Sequence, residues 1–214
     1  MIRQLPLLLL FGTGSILQAQ QAPETRYLFA GPLHVSGAGG LLMQGGSIDA
    51  FSGISGFMGG GGGVLFSQRL LVGGYGMGLT TQVERNIFFT DRDRALKAEL
   101  SFGHGGFWFQ YSAMPHKPVH PVVGLQLGWG AATWDFDDDQ FHTQDNPAVR
   151  DIEDRVFVIT PTLGCDLNIT PWFRPTILAG YRYVDGLSLP QTDADELDGF
   201  FLSIALLFGG FGGR

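Results

Sequence analysis

The stretch Gly199-Phe200-Phe201-Leu202-Ser203-Ile204-Ala205-Leu206-Leu207-Phe208, with Trp172-Phe173-Arg174-Pro175-Thr176-Ile177-Leu178-Ala179-Gly180-Tyr181-Arg182-Tyr183 before it, decides the fold. In the first, Phe200, Leu202, Ile204, Leu206 and Phe208 share one parity, and Ser203 and Ala205 take the other. In the second, Phe173, Ile177, Ala179, Tyr181 and Tyr183 alternate with Arg174, Thr176 and Arg182. A period of two belongs to a strand whose faces meet different surroundings. Kept up over roughly ten residues, it fits a strand crossing a bilayer, with lipid on one side and the interior of a closed barrel on the other. Closure matters because it leaves no backbone group unpaired in hydrocarbon.

Working outward, Phe157, Ile159, Pro161, Leu163 and Leu167 alternate with Thr160, Thr162 and Asp166, and the device continues toward the N-terminus. Eight strands are predicted over 33–46, 51–66, 69–82, 96–112, 119–136, 153–169, 172–187 and 198–208. Ser67-Gln68, Pro115-His116-Lys117-Pro118 and Thr170-Pro171 read as short turns, whereas 83–95, 137–152 and 188–197 read as long loops. Short turns face the periplasm in such barrels and long loops face outside, which puts both termini in the periplasm. The expectation is therefore an all-β fold, an eight-stranded antiparallel up-and-down transmembrane β-barrel. Trp129, Trp172, Tyr181, Tyr183 and Phe208 fall near strand ends, as aromatic girdles do.

Before the barrel, Met1-Ile2-Arg3, the apolar Leu5 to Phe11 and the small-residue ending Leu17-Gln18-Ala19 resemble a secretory signal peptide. The expected organisation is a signal peptide over 1–19, an N-terminal periplasmic segment over 20–32, a barrel over 33–209 and a C-terminal tail over 210–214. No run approaches the roughly 18 consecutive apolar residues of a spanning helix.

Composition narrows the class. With 33 glycines and 13% aromatic residues the chain is too rich in glycine for helices and too aromatic for disorder. A net charge of −7 without clustered Lys and Arg excludes a nucleic-acid partner. The single cysteine, Cys165, has no internal disulfide partner and falls on the lipid-facing parity of its strand. Gly59 to Gly63, Gly73 to Gly78 and Gly103 to Gly106 are followed by strand-like segments rather than by a helix, so they read as sites of bending and close packing rather than as a phosphate loop. Apolar parity switches between Phe102 and Phe107, which predicts a bulge at Gly105-Gly106.

The stretch Gly59 to Leu79, ending Leu71-Val72-Gly73-Gly74-Tyr75-Gly76-Met77-Gly78-Leu79, and the segment from His120 to Gly130 resemble small outer-membrane barrel proteins of the Bacteroidota. The wider layout is similar to eight-stranded barrels of the OmpA and OmpX type. The resemblance implies an outer-membrane location in a Gram-negative cell envelope and carries over no catalytic residue.

Charges of inward parity are the most informative chemistry. Asp166 and Arg174 are symmetric about Thr170 and are expected opposite each other across the turn, while Arg182, Glu99 and Lys97 take inward parity nearer the outside. Small barrels fill with side chains, so these groups are read as ion pairs of a polar interior. The acidic run Asp135, Asp137, Asp138 and Asp139 is a candidate weak divalent-cation loop, although it lacks the glycine turn and spaced bidentate acid of a dedicated calcium site. His116 and His120 flank a turn and do not present helical metal-ligand spacing. His104, Ser101 and Glu99 are the one local grouping of residue types used by lipid-modifying enzymes, but Ser101 and His104 fall on opposite faces unless a bulge intervenes.

The function expected is a structural, adhesive or surface-interaction role exercised through the outer loops by a monomeric, non-enzymatic barrel that contacts outer-membrane lipid and lipopolysaccharide and uses no cofactor. The alternatives are a narrow channel for ions or small solutes, a lipid-modifying enzyme and a soluble lipocalin-like binder.

Overall fold

A computed structural model of the chain describes residues 32–48, 51–89, 94–136, 151–187 and 194–212. The described residues form nine strands: β1 Val35–Ile48, β2 Phe51–Phe66, β3 Leu70–Leu79, β4 Glu84–Phe89, β5 Arg94–Ser112, β6 Val119–Phe136, β7 Asp151–Leu167, β8 Phe173–Asp185 and β9 Gly199–Gly209. A 3₁₀ turn, Ala194–Leu197, precedes β9. The sheet runs β3-β2-β1-β9-β8-β7-β6-β5-β4, and β3 also pairs with β5. Since β3 and β4 lie end to end along β5, they form one stave, and the result is a closed eight-stave antiparallel barrel. β1 pairs antiparallel with β9, so the first and last strands join and no long edge is left.

Three tight turns mark one end of the barrel. At Ser67-Gln68 both central residues have positive φ, 47° and 58°, and the Arg69 N–H donates to the Phe66 carbonyl at 2.9 Å. Positive φ at both central residues is the geometry that matches the twist of the flanking strands. At the Thr170-Pro171-Trp172-Phe173 turn the main chains of Thr170 and Phe173 bond each other, and the Thr170 Oγ1 accepts from the Phe173 N–H at 3.0 Å. Proline presets the backbone at the second position.

This turn corrects the expected register. The hairpin is centred one residue later than Thr170, so Asp166 pairs with Thr176, not with Arg174. The segment read as a loop over 83–95 is mostly strand, because β4 and the start of β5 continue the barrel wall beyond the apolar stretch. The predicted bulge at Gly105-Gly106 is absent, and β5 keeps one uninterrupted register with β6 from Ala98 to Ser112. Phe102 is simply an inward aromatic, 3% exposed, on the same face as Trp108.

Glycine pairs let the first three strands curl tightly. A Cβ added at Gly63 would come within 2.5 Å of the Gly73 Cα, and one at Gly73 within 2.6 Å of the Gly63 Cα. Side chains there would force the strands apart and open the corner.

The two faces of the wall are both apolar in their middle reaches. Inside, Leu42, Phe57, Leu100, Phe102, Trp108, Trp134, Val158 and Leu207 belong to one packed cluster, so the interior is less polar than the sequence suggests. Outside, Leu41, Ile54, Met58, Phe107, Trp129, Leu163, Phe200, Leu202 and Ile204 stand exposed, among them Ile54 at 81% and Phe200 at 74%. Exterior rings gather at two levels: Trp172 stacks on Phe208 beside the tight turns, and Trp129 meets Phe107 and Phe157 farther along the wall, well inside their strands. Cys165 has outward parity and is half-buried.

The barrel does not stop at Gly209. The Gly210 N–H donates to the Gly37 carbonyl and the Phe211 N–H to the Pro171 carbonyl, which brings the buried Phe211 ring under the end of the barrel with the tight turns. Residues 1–31, which include the expected signal peptide, lie outside the described residues.

Candidate functional site

Among the described residues, the buried Asp and Arg side chains gather in two places inside the apolar interior. Near the tight turns, inward positions of β5, β6, β7 and β8 converge on Asp166, which is fully buried. Its carboxylate accepts from the Ser112 hydroxyl at 2.5 Å, the Thr176 hydroxyl at 2.6 Å and, more weakly, the Gln110 amide at 3.4 Å. The His120 Nε2 stands 3.3 Å from the Asp166 Oδ2. That is ion-pair distance, but Nε2 is not aligned for a hydrogen bond. Nδ1 of the same ring faces the Lys117 carbonyl at 3.0 Å, and because a carbonyl only accepts, Nδ1 is the donor.

Arg174 is 2% exposed, and its Nη1 lies 3.9 Å from the Asp166 Oδ2. At that separation the attraction is through space and not a hydrogen bond. The shorter contact is from Nε to the Asn168 Oδ1 at 2.8 Å, while the Asn168 amide donates to the carbonyls of Pro115 and Lys117. Asn168 thereby ties the β5–β6 turn to the β7–β8 hairpin and holds the guanidinium. Sequence symmetry pointed to Asp166 and Arg174 and put Thr176 on the inward face, but it missed Asn168 and Ser112; the shifted hairpin is what sets Thr176 opposite Asp166.

Toward the other end, Arg182 is buried with its guanidinium 4.2 Å from the Phe57 ring centroid and 5.9 Å from that of Phe102. Its Nε donates to the Leu197 carbonyl at 3.1 Å. A desolvated cation over aromatic faces gains on the order of 2 kcal/mol. Asp198 fastens the same region, accepting from the Val184 N–H at 2.7 Å and the Tyr181 hydroxyl at 3.2 Å. Leu197, wholly buried, closes the mouth beneath the 3₁₀ turn. Arg85 of β4 reaches Glu196 at 3.0 Å and joins that turn to the opposite wall.

Glu99 and Lys97 need correction. With no bulge in β5, Ala98 and Leu100 point inward and both charged residues point outward. Lys97 pairs with Glu84 at 2.8 Å on the exposed surface. Asp135 also faces outward and accepts from the Ser101 hydroxyl at 2.6 Å. The other residues of the acidic run, Asp137, Asp138 and Asp139, lie outside the described residues. Among the described residues no three His, Cys, Asp or Glu side chains converge as metal ligands do.

His104 points inward and meets the Tyr75 hydroxyl at 3.0 Å, while Ser101 and Glu99 lie on the opposite face. The grouping that an esterase-type reaction requires is thus divided by the wall. Gly128 makes room for that tyrosine, since a Cβ there would collide with its hydroxyl. A small interior cavity of about 10 Å³, bounded by Gln110, Ser112, Arg174 and Phe211, has room for about one water.

No protein-family model and no curated protein matches this chain. Among solved structures, the chain is similar to the N-terminal β-barrel domain of Pseudomonas aeruginosa OprF at 12% identity, with 81% of this chain and 96% of that one covered and a TM-score of 0.46. Neisserial surface protein A is similar at 14% identity, with 84% and 97% covered and a TM-score of 0.46. Ail, the attachment invasion locus protein of Yersinia pestis, crystallised with the heparin analogue sucrose octasulfate, is similar at 13% identity, with 82% and 97% covered and a TM-score of 0.47.

Proposed function

We propose that this protein is an integral outer-membrane barrel of a Gram-negative cell envelope, with both termini in the periplasm and a structural, adhesive or surface-interaction role exercised at the end that carries the longer connections. One observation carries the reading: the wall is apolar on both faces. The inner apolar face is buried by its own side chains, whereas the outer one exposes Ile54, Phe107, Leu163, Phe200 and Leu202, with no second layer over it among the described residues. In water such a surface would far exceed the apolar patches that soluble monomers tolerate. In lipid it is the expected exterior.

The packed interior supports a scaffold over a channel. Trp108, Trp134, Arg174 and Arg182 fill the bore, and Leu197 and Phe211 close its two ends. The division of Ser101 from His104 favours a non-enzymatic role. Fractionation of cells tests the proposal: the protein should sediment with outer membranes, resist extraction by high salt and alkali, and migrate faster on gels unheated than boiled. Recovery in the soluble periplasmic fraction would refute it.

A further inference from the structure

Between its pairing with β3 and its pairing with β4, β5 crosses a defect in the wall. The β3 ladder ends at Gly78↔Gly103 and the β4 ladder begins at Glu84↔Glu99. Five residues, 79–83, therefore face three, 100–102, an excess of two on one side. Phe102 pairs in neither ladder. The extra residues swing toward β2, where the Thr80 N–H and hydroxyl donate to the Gly56 carbonyl and the Thr81 hydroxyl accepts from the Gly56 N–H. A bulge of this kind re-aims side chains and is common next to binding sites.

The displacement leaves a notch in the outer surface, about 350 Å³ in volume, whose polar lining includes Gln82, Glu99, Ser101 and Thr133, with Leu79 as an apolar patch. That volume lies at the lower end of small-molecule sites. The site is not an ordinary stretch of exterior, because outward positions lower on the same strands are Phe107 and Trp129. Ser101 is oriented by its bond to Asp135, and Glu99 has no hydrogen-bond or ion-pair partner among the described side chains.

The lining residues indicate the ligand class. Among the described lining residues none is Lys, Arg or His, and the outward Lys97 beside them is paired with Glu84, so a phosphate or sulfate group would meet the Glu99 carboxylate without a cation in that lining to offset it. One carboxylate is too few for a dedicated calcium or magnesium site. What remains is a group that offers several hydroxyl donors and acceptors on a small apolar frame. We propose that this notch binds a neutral or amine-bearing sugar unit, with Glu99 accepting from ligand hydroxyls and Gln82, Ser101 and Thr133 completing the hydrogen bonds. The sugar can come from the headgroup of a neighbouring glycolipid or from a soluble glycan. The inference rests on the membrane reading above, which places the notch just beyond the Trp129 level, where headgroups lie.

The test uses full-length protein refolded in an amine-oxide detergent, because maltoside and glucoside detergents carry the very group in question. Saturation-transfer NMR with N,N′-diacetylchitobiose reports a soluble sugar, and small bicelles containing a monoglycosyl diacylglycerol, compared with phosphatidylglycerol, report a headgroup. Saturation should reach sugar-ring protons in at least one of the two sugar probes and not the phosphatidylglycerol headgroup, and which probe responds identifies the source. Glu99→Gln should weaken the effect by about fivefold, the loss of one charge-assisted hydrogen bond, and Thr133→Phe, which fills the notch, should abolish it. No saturation from folded wild-type protein, equal saturation in both folded variants, or saturation that requires calcium and vanishes with EDTA would each overturn the inference. Heat-modifiable gel migration is recorded for each sample. A folded barrel without sugar binding refutes the notch alone, whereas a chain soluble without detergent refutes the membrane reading.

Discussion

The guanidinium carbon of Arg174 lies 4.2 Å above the centre of the Phe211 ring, although 37 positions separate the two in sequence. Phe211 is held there by its N–H on the Pro171 carbonyl, and Arg174 by its Nε on Asn168. The segment that follows β9 thus seals a buried cation from the side of the tight turns.

Phe211→Ala should therefore destabilise the refolded barrel by about 3 kcal/mol, combining lost burial of the ring with the lost cation–π contact. Phe211→Leu, which keeps most of the apolar volume but not the ring face, should recover part of that loss. Urea unfolding in lipid vesicles, followed by tryptophan fluorescence, measures both. Equal stability of Phe211→Ala and wild type would show that the tail is dispensable.

Wall parity makes a second, independent prediction. Leu163 and Ile204 are outward and 62% and 45% exposed, whereas their strand neighbours Thr160 and Ser203 are inward and buried. Arg at Leu163 or Ile204 should cost about 2 to 4 kcal/mol near the bilayer midplane, because the charge must sit in hydrocarbon or deform the lipid. Arg at Thr160 or Ser203 should instead overpack the bore, and its cost should not change with lipid thickness. Refolding each variant in short-chain and long-chain lecithin vesicles separates the two origins.

Lys97 and Glu84 provide the opposite case. Their pair is about half exposed on each side, so Lys97→Ala should change stability by less than about 1 kcal/mol and less still in high salt. A loss comparable to that of Phe211→Ala would mean that Lys97 is buried after all.

The barrel was legible in the sequence because its signal is a period of two carried by many residues, so that a single misplaced turn does not erase it. Sidedness in β7, β8 and β9 followed directly, from residues such as Leu163, Ile177 and Ile204. In β5 parity misleads at the outer half, because Phe102 packs inside against Phe57 at 5.7 Å and so breaks the link between an apolar residue and the lipid face. Apolar residues mark a face only when the other face is polar, and here the bore is apolar too. Assigning Phe102 to the outer face is what puts Glu99 and Lys97 on the inner one. The Asp166 cluster was half legible, because the charges stand out but the register depends on whether Pro171 takes the second place of a four-residue turn. The notch at 79–83 left no sequence signal, as it arises from a two-residue mismatch between strands that only pairing can show.

A filled bore makes a further prediction about transport. With Trp108 and Trp134 buried within it and Leu197 at its mouth, the wild-type protein should give no stable single-channel steps in planar bilayers. Double replacement of Trp108 and Trp134 by Ala should open enough volume to admit water and produce measurable leak. Regular conductance steps from wild-type protein would reject the scaffold reading in favour of a channel.

The buried charges near the tight turns give the most discriminating variant set. Asp166 keeps two short hydroxyl bonds, from Ser112 and Thr176, that do not depend on Arg174. Arg174→Met therefore leaves a carboxylate that is still partnered. Asp166→Leu is worse, because it strands the Arg174 guanidinium and leaves the Ser112 and Thr176 hydroxyls without their acceptor, at a cost of about 3 to 5 kcal/mol. In the double variant, Asp166→Leu with Arg174→Met, the stranded cation is gone, so the total should fall well below the sum of the two single losses. Detergent refolding of the three variants, with stability read from the midpoint of heat-modified migration, gives the expected order: Asp166→Leu least stable, the double variant intermediate and Arg174→Met closest to wild type. Strictly additive losses would mean that water screens the two charges from each other and that this end of the bore is open to solvent.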